Sequence, residues 1–169
     1  MISTGNELVE PGDAIEAHQI RRSNVYGIVA ALRRRGFQRI ADDHLPDDLA
    51  TLTARLRVHL DTHEVVILSC GVSMGRYDLV PQALATLGVR EIFHKISQRP
   101  GKPMWFGVGP RGTAVFALPG NPVSTQACLA RYVVPGLYAA MGEATAQLDK
   151  IAIAAPVEVK HGLTSLLPV

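Results

Sequence analysis

This sequence has few cysteines, little net charge and no long apolar run, and each shortage removes a class of protein. Only two cysteines occur in 169 residues, Cys70 and Cys128. They are far apart and lack metal-type spacing with the six histidines. That excludes a disulfide scaffold and the common zinc motifs, and leaves two free thiols in a reducing compartment. The formal net charge is +2, and no Lys/Arg run is longer than Arg33-Arg34-Arg35. A nucleic-acid surface is therefore not expected, although a local basic pocket for a small anion is compatible with so mild a charge. The longest apolar stretches fall short of a bilayer span, so a soluble protein of the cytoplasm is expected. Neither an internal repeat nor a low-complexity segment is found.

What remains is an ordinary core-forming composition, 47% hydrophobic and 19% charged, enough for one domain with a small appendage. Val25, Ile28, Val29 and Leu32 follow helical spacing behind Asn24 as the expected cap, with Arg33 to Arg35 in the last turn and Gly36 as the stop. Phe37 to Ala41 reads as a short strand. Pro46-Asp47-Asp48 opens a helix bearing Leu49, Leu52, Leu56 and Leu60. Val65 to Leu68 is a continuous apolar strand, as in a sheet covered on both faces. Leu79, Val80, Ala83, Leu84 and Leu87 form a third apolar helix face ended by Gly88. Val89 to Ile96 is strand-like, and Gly109-Pro110-Arg111-Gly112 joins two strands in a hairpin. Asn121-Pro122 then opens one long helix from Val123 to Met141. Strands alternating with helices predict a three-layer α/β/α domain, its sheet mostly parallel with one antiparallel hairpin.

Ligands of open α/β sheets bind beyond the carboxyl ends of the strands. Three loops fall there. Ser69 to Asp78 carries Gly71, Ser73 and Gly75, whose backbone N–H groups and hydroxyls suit an anion, most naturally a phosphate; a tight strand-to-helix turn would use the same glycines. Asp78 suits a metal, a ligand hydroxyl or the helix N-terminus. No Lys follows the second glycine, so the loop is not a Walker motif, nor is it the dinucleotide fingerprint. Its Gly-x-Ser-x-Gly spacing lacks the partnered His and acid of a hydrolase. The stretch "RPGKP" carries Arg99 and Lys102, with Lys95 nearby, cations that suit an oxyanion. In "LPGNPVS", Pro119, Asn121 and Pro122 leave little backbone freedom before Ser124, which either shapes a site or merely starts a helix.

Taken together, "TGNEL" (4–8), "SCGVSMGRYD" (69–78), "PGKP" (100–103) and "LPGNPVS" (118–124) resemble the molybdopterin molybdenumtransferases of the MoeA/gephyrin-E group, in order and spacing. The resemblance covers roughly residues 2–142. It implies a MogA-like molybdopterin-binding domain over 1–145 and the start of a C-terminal β domain over 146–169. It further implies insertion of molybdate into adenylylated molybdopterin with Mg²⁺, release of AMP, and a homo-oligomer, dimer or trimer. On that resemblance Asp78, Lys95, Arg99 and Lys102 are the expected catalytic group. Glu7, Ser69, Gly71, Ser73, Gly75, Pro119, Asn121, Pro122 and Ser124 would bind the ligand, and Asp78 with Glu7 the metal. A non-catalytic binding module and an ATP-dependent adenylyltransferase are the alternatives. Three positions depart from the pattern: Asn6 for an aspartate, Arg22 for a carboxylate and Cys70 for a glycine. Arg22 could pair with a phosphate instead. Both ends of the chain read as cuts through something larger.

Overall fold

The structure, a computed structural model, describes residues 1–69, 79–143, 150–152, 154–158 and 161–167. Its centre is a six-stranded sheet. In chain order the strands and helices are β1 (Ile2–Thr4), β2 (Leu8–Val9), β3 (Ile20–Arg21), α1 (Ser23–Arg33), β4 (Asp43–Leu45), α2 (Leu49–Thr62), β5 (Val65–Ser69), α3 (Leu79–Thr86), β6 (Arg90–His94), β7 (Gln98–Arg99), β8 (Trp105–Val108), β9 (Ala114–Leu118), α4 (Pro122–Cys128), α5 (Val134–Ala140) and β10 (Thr164–Ser165).

The main sheet runs β4-β1-β5-β9-β8-β6. Strands β4, β1, β5 and β9 are mutually parallel, while β8 is antiparallel to both β9 and β6. This is the expected mostly parallel sheet with its hairpin. Alternation along the strands feeds two cores. Val66, Leu68, Val115, Ala117 and Trp105 pack against Leu52, Leu56 and Leu60 of α2 and Val80, Ala83 and Leu84 of α3. Ile67, Phe116, Leu118 and Met104 face the other way, toward Ile28 and Leu32 of α1 and Cys128, Leu129, Val133 and Val134 at the chain's last long helix. The two helical layers are thus required by the strand pattern: a strand apolar on both faces needs cover on both.

Three elements differ from the sequence expectation. The strand expected over 37–41 is displaced to Asp43–Leu45, because that segment pairs with β1 (Ile2 opposite Asp43, Thr4 opposite Leu45), while Phe37 and Ile40 pack onto the α1-side core as irregular chain. The long final helix is interrupted: a π-helical turn over Leu129–Val133 separates α4 from α5. Pro135, at the start of α5, has no N–H and crowds the carbonyl four residues back, and a widened turn relieves both. Asn24 is not the cap of α1; Arg22 occupies that position and makes no side-chain cap bond. Two small parallel pairings were not expected at all, β2 with β3 and β7 with β10. Among the described residues, no helix is long and apolar enough to cross a membrane.

At the sheet's edge, Asp43 accepts from Arg55 Nη2 (2.6 Å) and lies 2.8 Å from His59 Nε2. Burial works against its ionisation, but the His59 hydrogen bond and the Arg55 charge outweigh it and hold the carboxyl below the usual aspartate range. A carboxyl depressed in the folded state stabilises above its unfolded value and loses that contribution as pH falls toward the folded one. Stability of the native chain should therefore fall as pH drops below the ordinary aspartate range, and Asp43→Asn should flatten that fall in urea titrations. Leu56, fully buried beneath the sheet, sets the scale for the core. Leu56→Ala should cost about 2–5 kcal/mol in the same measurement.

Candidate functional site

The four parallel strands end on one rim. Ser3 of β1 lies opposite Ser69 of β5, and Ser69 opposite Leu118 of β9. The antiparallel β8 begins beside them, Trp105 pairing with Ala117. Its partner β6 ends there too, His94 pairing with Trp105. The loops after residues 4, 94 and 118 consequently leave the sheet on the side where Ser69 ends β5.

On the α1 face of this rim is a pocket of about 310 Å³. Ser3, Arg22, Asn24, Ser69, Gly120 and Pro122 give it a polar floor and one wall, and Leu8, Ile20 and Arg21 the other wall. The second wall is an excursion of the chain closed by the β2–β3 pair. Glu10 latches that excursion to the body: its carboxylate accepts from Tyr26 Oη at 2.6 Å and from Arg22 Nη1 at 2.5 Å, and its carbonyl accepts from Arg21 Nη1 at 2.9 Å. The Tyr26 hydrogen bond, followed by that of Arg22, holds the Glu10 carboxyl below its ordinary range.

Arg22 is only 5% exposed. Besides Glu10, it donates from Nε to Ser3 Oγ (3.1 Å) and from Nη2 to Asp42 (2.8 Å) and to the Asp43 carbonyl (3.0 Å). Burial would loosen its proton, yet the bonds to Asp42 and Glu10 keep the guanidinium firmly charged. Phosphate pairing, one expectation for this residue, meets a side chain whose charge two carboxylates already balance. Asn6, the second departure, exchanges hydrogen bonds with Asp47: each backbone N–H donates to the other's side-chain oxygen, at 3.1 and 3.2 Å. An acid thus stands beside the asparagine, delivered by the loop that follows β4.

The "LPGNPVS" turn is built as its composition implies. Asn121 caps α4 by accepting from Ser124 N (3.1 Å), and Pro122 takes the first helical turn. Thr125, fully buried, donates its hydroxyl to the Pro119 and Asn121 carbonyls. Asn24 Nδ2 reaches across to the Gly120 carbonyl at 2.8 Å and to Ser69 Oγ at 2.9 Å.

The "RPGKP" turn leans on the same helix. Gln98 donates from Nε2 to the Pro100 carbonyl (2.7 Å) and accepts from Tyr132 Oη. Gly101 has φ +105°, and a Cβ there would come within 2.6 Å of Cys128 Sγ and 2.8 Å of Gln98 Nε2. Lys95 N donates to the Met104 carbonyl and Ile96 N to the Lys102 carbonyl, which joins the two backbone segments that carry the lysines. Lys95, Arg99 and Lys102 are exposed, and Lys95 is the one described non-glycine residue with positive φ, 69°. Such a backbone is uncommon for a lysine and clusters at functional loops.

Of the expected site residues, the structure brings Ser69, Pro119, Asn121, Pro122 and Ser124 to this rim, with Lys95, Arg99 and Lys102 on the adjoining turn. Glu7 follows β1 at the same end, half-buried, its carbonyl accepting from Ile20 N. Gly71, Ser73, Gly75, Asp78 and Cys70 lie outside the described residues. For magnesium, the described residues offer no group of three His, Cys, Asp or Glu side chains able to hold an ion. Gly120 was expected as part of the 118–124 turn, whereas sequence reasoning missed Ser3 and Asn24 as pocket residues. Nothing in local spacing marks them, since they meet only through strand register. Thr4 Oγ1 and His94 Nε2, at the ends of β1 and β6, are buried without a protein hydrogen-bond partner among the described residues.

Residues 1–139 match the family described as "Probable molybdopterin binding domain". The chain belongs to this family. A molybdopterin molybdenumtransferase of Synechocystis is 43% identical over 133 residues, covering 78% of this chain and 34% of that protein. One from Synechococcus elongatus is 38% identical over 151 residues, covering 88% and 38%. Among solved structures, the MoeA molybdopterin biosynthesis protein of Pyrococcus horikoshii superposes with a TM-score of 0.69 at 33% identity, over 83% of this chain and 34% of that one. MogA superposes at 0.57 with 16% identity, over 83% and 96%, a likeness of fold alone. The chain spans about a third of the length of these molybdenumtransferase relatives.

In this molybdopterin-binding domain, the buried Cys128 is pushed up to about 11 by loss of solvent. Its thiol is a packing group, donating weakly to the Gly101 carbonyl. Gly101→Ala should therefore lower stability by about 1–3 kcal/mol through strain and overpacking. In a Cys128→Ala background the loss should shrink, because the obstructing sulfur is gone. Thermal melts of the two single variants and the double variant check this; strictly additive losses would disprove the contact.

Proposed function

We propose that the chain is the molybdopterin-holding part of a molybdenumtransferase and acts in molybdenum cofactor biosynthesis. Adenylylated molybdopterin lies along the rim, molybdate is taken up and AMP is released. One observation carries this reading: the cation-bearing turn at 99–102 and the pre-shaped turn at 119–124 both pack on α4, and Gly120 and Pro122 of the second line a pocket together with Ser69. Relatives named molybdopterin molybdenumtransferase at 36–43% identity support it.

The chemistry asked of the residues is positioning and charge. Lys95, Arg99 and Lys102 attract the molybdate oxyanion or the ligand's phosphate. Ser69, Pro119, Asn121, Pro122 and Ser124 shape the cradle. The roles of Gly71, Ser73, Gly75 and Asp78 rest on the resemblance alone, as does that of Glu7 as a ligand-organising acid. The division into a binding domain over 1–145 and the opening of a β domain over 146–169 belongs to the same reading, as does assembly into a dimer or trimer.

The test is to titrate adenylylated molybdopterin into the chain by calorimetry, then add molybdate with Mg²⁺ and follow AMP. Binding followed by molybdate-dependent AMP release supports transfer. Binding without release makes the chain a binding module, and ATP-dependent AMP transfer would make it an adenylyltransferase. Lys102→Ala should lower molybdate-dependent AMP release about tenfold, the loss of one charge-assisted contact. Unchanged release in that variant would remove the lysine from the mechanism.

A further inference from the structure

The Asn24 carboxamide spans three elements that are far apart in the chain. It sits on the second residue of α1. Its two Nδ2 hydrogens go to Ser69 Oγ at the end of β5 and to the Gly120 carbonyl after β9, across 45 and 96 residues of sequence. Both acceptors line the rim pocket, as does Asn24 itself. A carboxamide that spends both donors this way has its orientation fixed, since the flipped form would turn Oδ1 toward a carbonyl. Gly120 is exposed and lies between Pro119 and Asn121. The turn's own bonds run from Thr125 and Ser124 to residues 119 and 121. They hold the turn to α4. Strand pairing sets Leu118 beside Ser69; beyond that pair, the bonds from Asn24 tie Gly120 at the turn's tip to α1 and to the end of β5.

We propose that Asn24 is a positioning residue that sets the mouth of the rim pocket by holding the 119–121 turn at a fixed distance from the end of β5. The proposal deepens the reading of this pocket as a ligand site and rests on it only for its effect on affinity. The mechanical part stands on geometry alone. The strut needs a double donor, and among side chains of this length only a carboxamide supplies one nitrogen with two hydrogens.

Asn24→Asp separates this role from a merely structural one. It keeps the shape and places a carboxylate in the first turn of α1, where no acid now stands and where a negative charge favours the helix. Melting temperature should therefore hold or rise. The carboxylate cannot donate to the Gly120 carbonyl, so the turn is released. Backbone ¹⁵N order parameters at Gly120 and Asn121 should fall from the rigid range, about 0.85, to below about 0.6, while those of the α5 residues stay unchanged. With AMP as probe, affinity should fall about tenfold, the cost of a mobile turn in place of a preorganised one. Asn24→Ala, which adds no charge, should show the same loosening. Rigid Gly120 and Asn121 in both variants would overturn the proposal, as would loosening spread over the whole chain with a lowered melting temperature. Absence of AMP binding by the native chain would count against the ligand reading of the pocket, and the order parameters would still decide the strut.

Discussion

Everything at the rim depends on strand register. Ser3, Ser69 and Leu118 stand in one line across β1, β5 and β9 because those strands are parallel and paired at those residues. A one-residue slip would turn Ser69 from the α1 face to the α2–α3 face and put an apolar side chain in its place. The register is held by the two cores: Val66 and Leu68 must face α2 and α3, while Ile67 must face α1. The chemistry of the pocket is therefore specified by apolar residues that never touch it.

Charge at the pocket floor is arranged with the same economy. A buried guanidinium is costly unless it is paired, and Arg22 is paired twice, with Glu10 and Asp42, while also bonding Ser3 and the Asp43 carbonyl. These contacts join the first strand, the β2–β3 excursion and the edge strand at one side chain. The residue that departs from the family pattern thus brings its own counter-ions and adds no net positive charge to the pocket. Asn6 behaves similarly, since Asp47 restores a carboxylate next to it.

Much of this was legible in the residues, and the limits have physical causes. The apolar run Val65–Leu68, the leucine spacing of α2 and the Gly-Pro-Arg-Gly turn each carry a strong local signal, and each formed where expected. Asn121-Pro122 likewise capped its helix. The strand read at 37–41 failed because pairing with β1, a contact some forty residues away, selected 43–45 instead. The continuous final helix failed because Pro135 was overlooked inside an apolar stretch. At the site, turn chemistry announced the 99–103 and 118–124 loops. Ser3 and Asn24 were silent, because their partnership with that turn exists only once the strands end together and α1 is laid across them.

The central claim is that Ser69 at the end of β5 and the turns after β6 and β9 belong to one ligand site on the α1 face of the rim. A co-crystal structure with adenylylated molybdopterin tests it most directly. The account predicts ligand density against Ser69 and residues 119–124, with Lys95 or Lys102 beside an anionic group. Density at the opposite end of the sheet, near Pro110 and Arg111, or on the α2–α3 face, would contradict it.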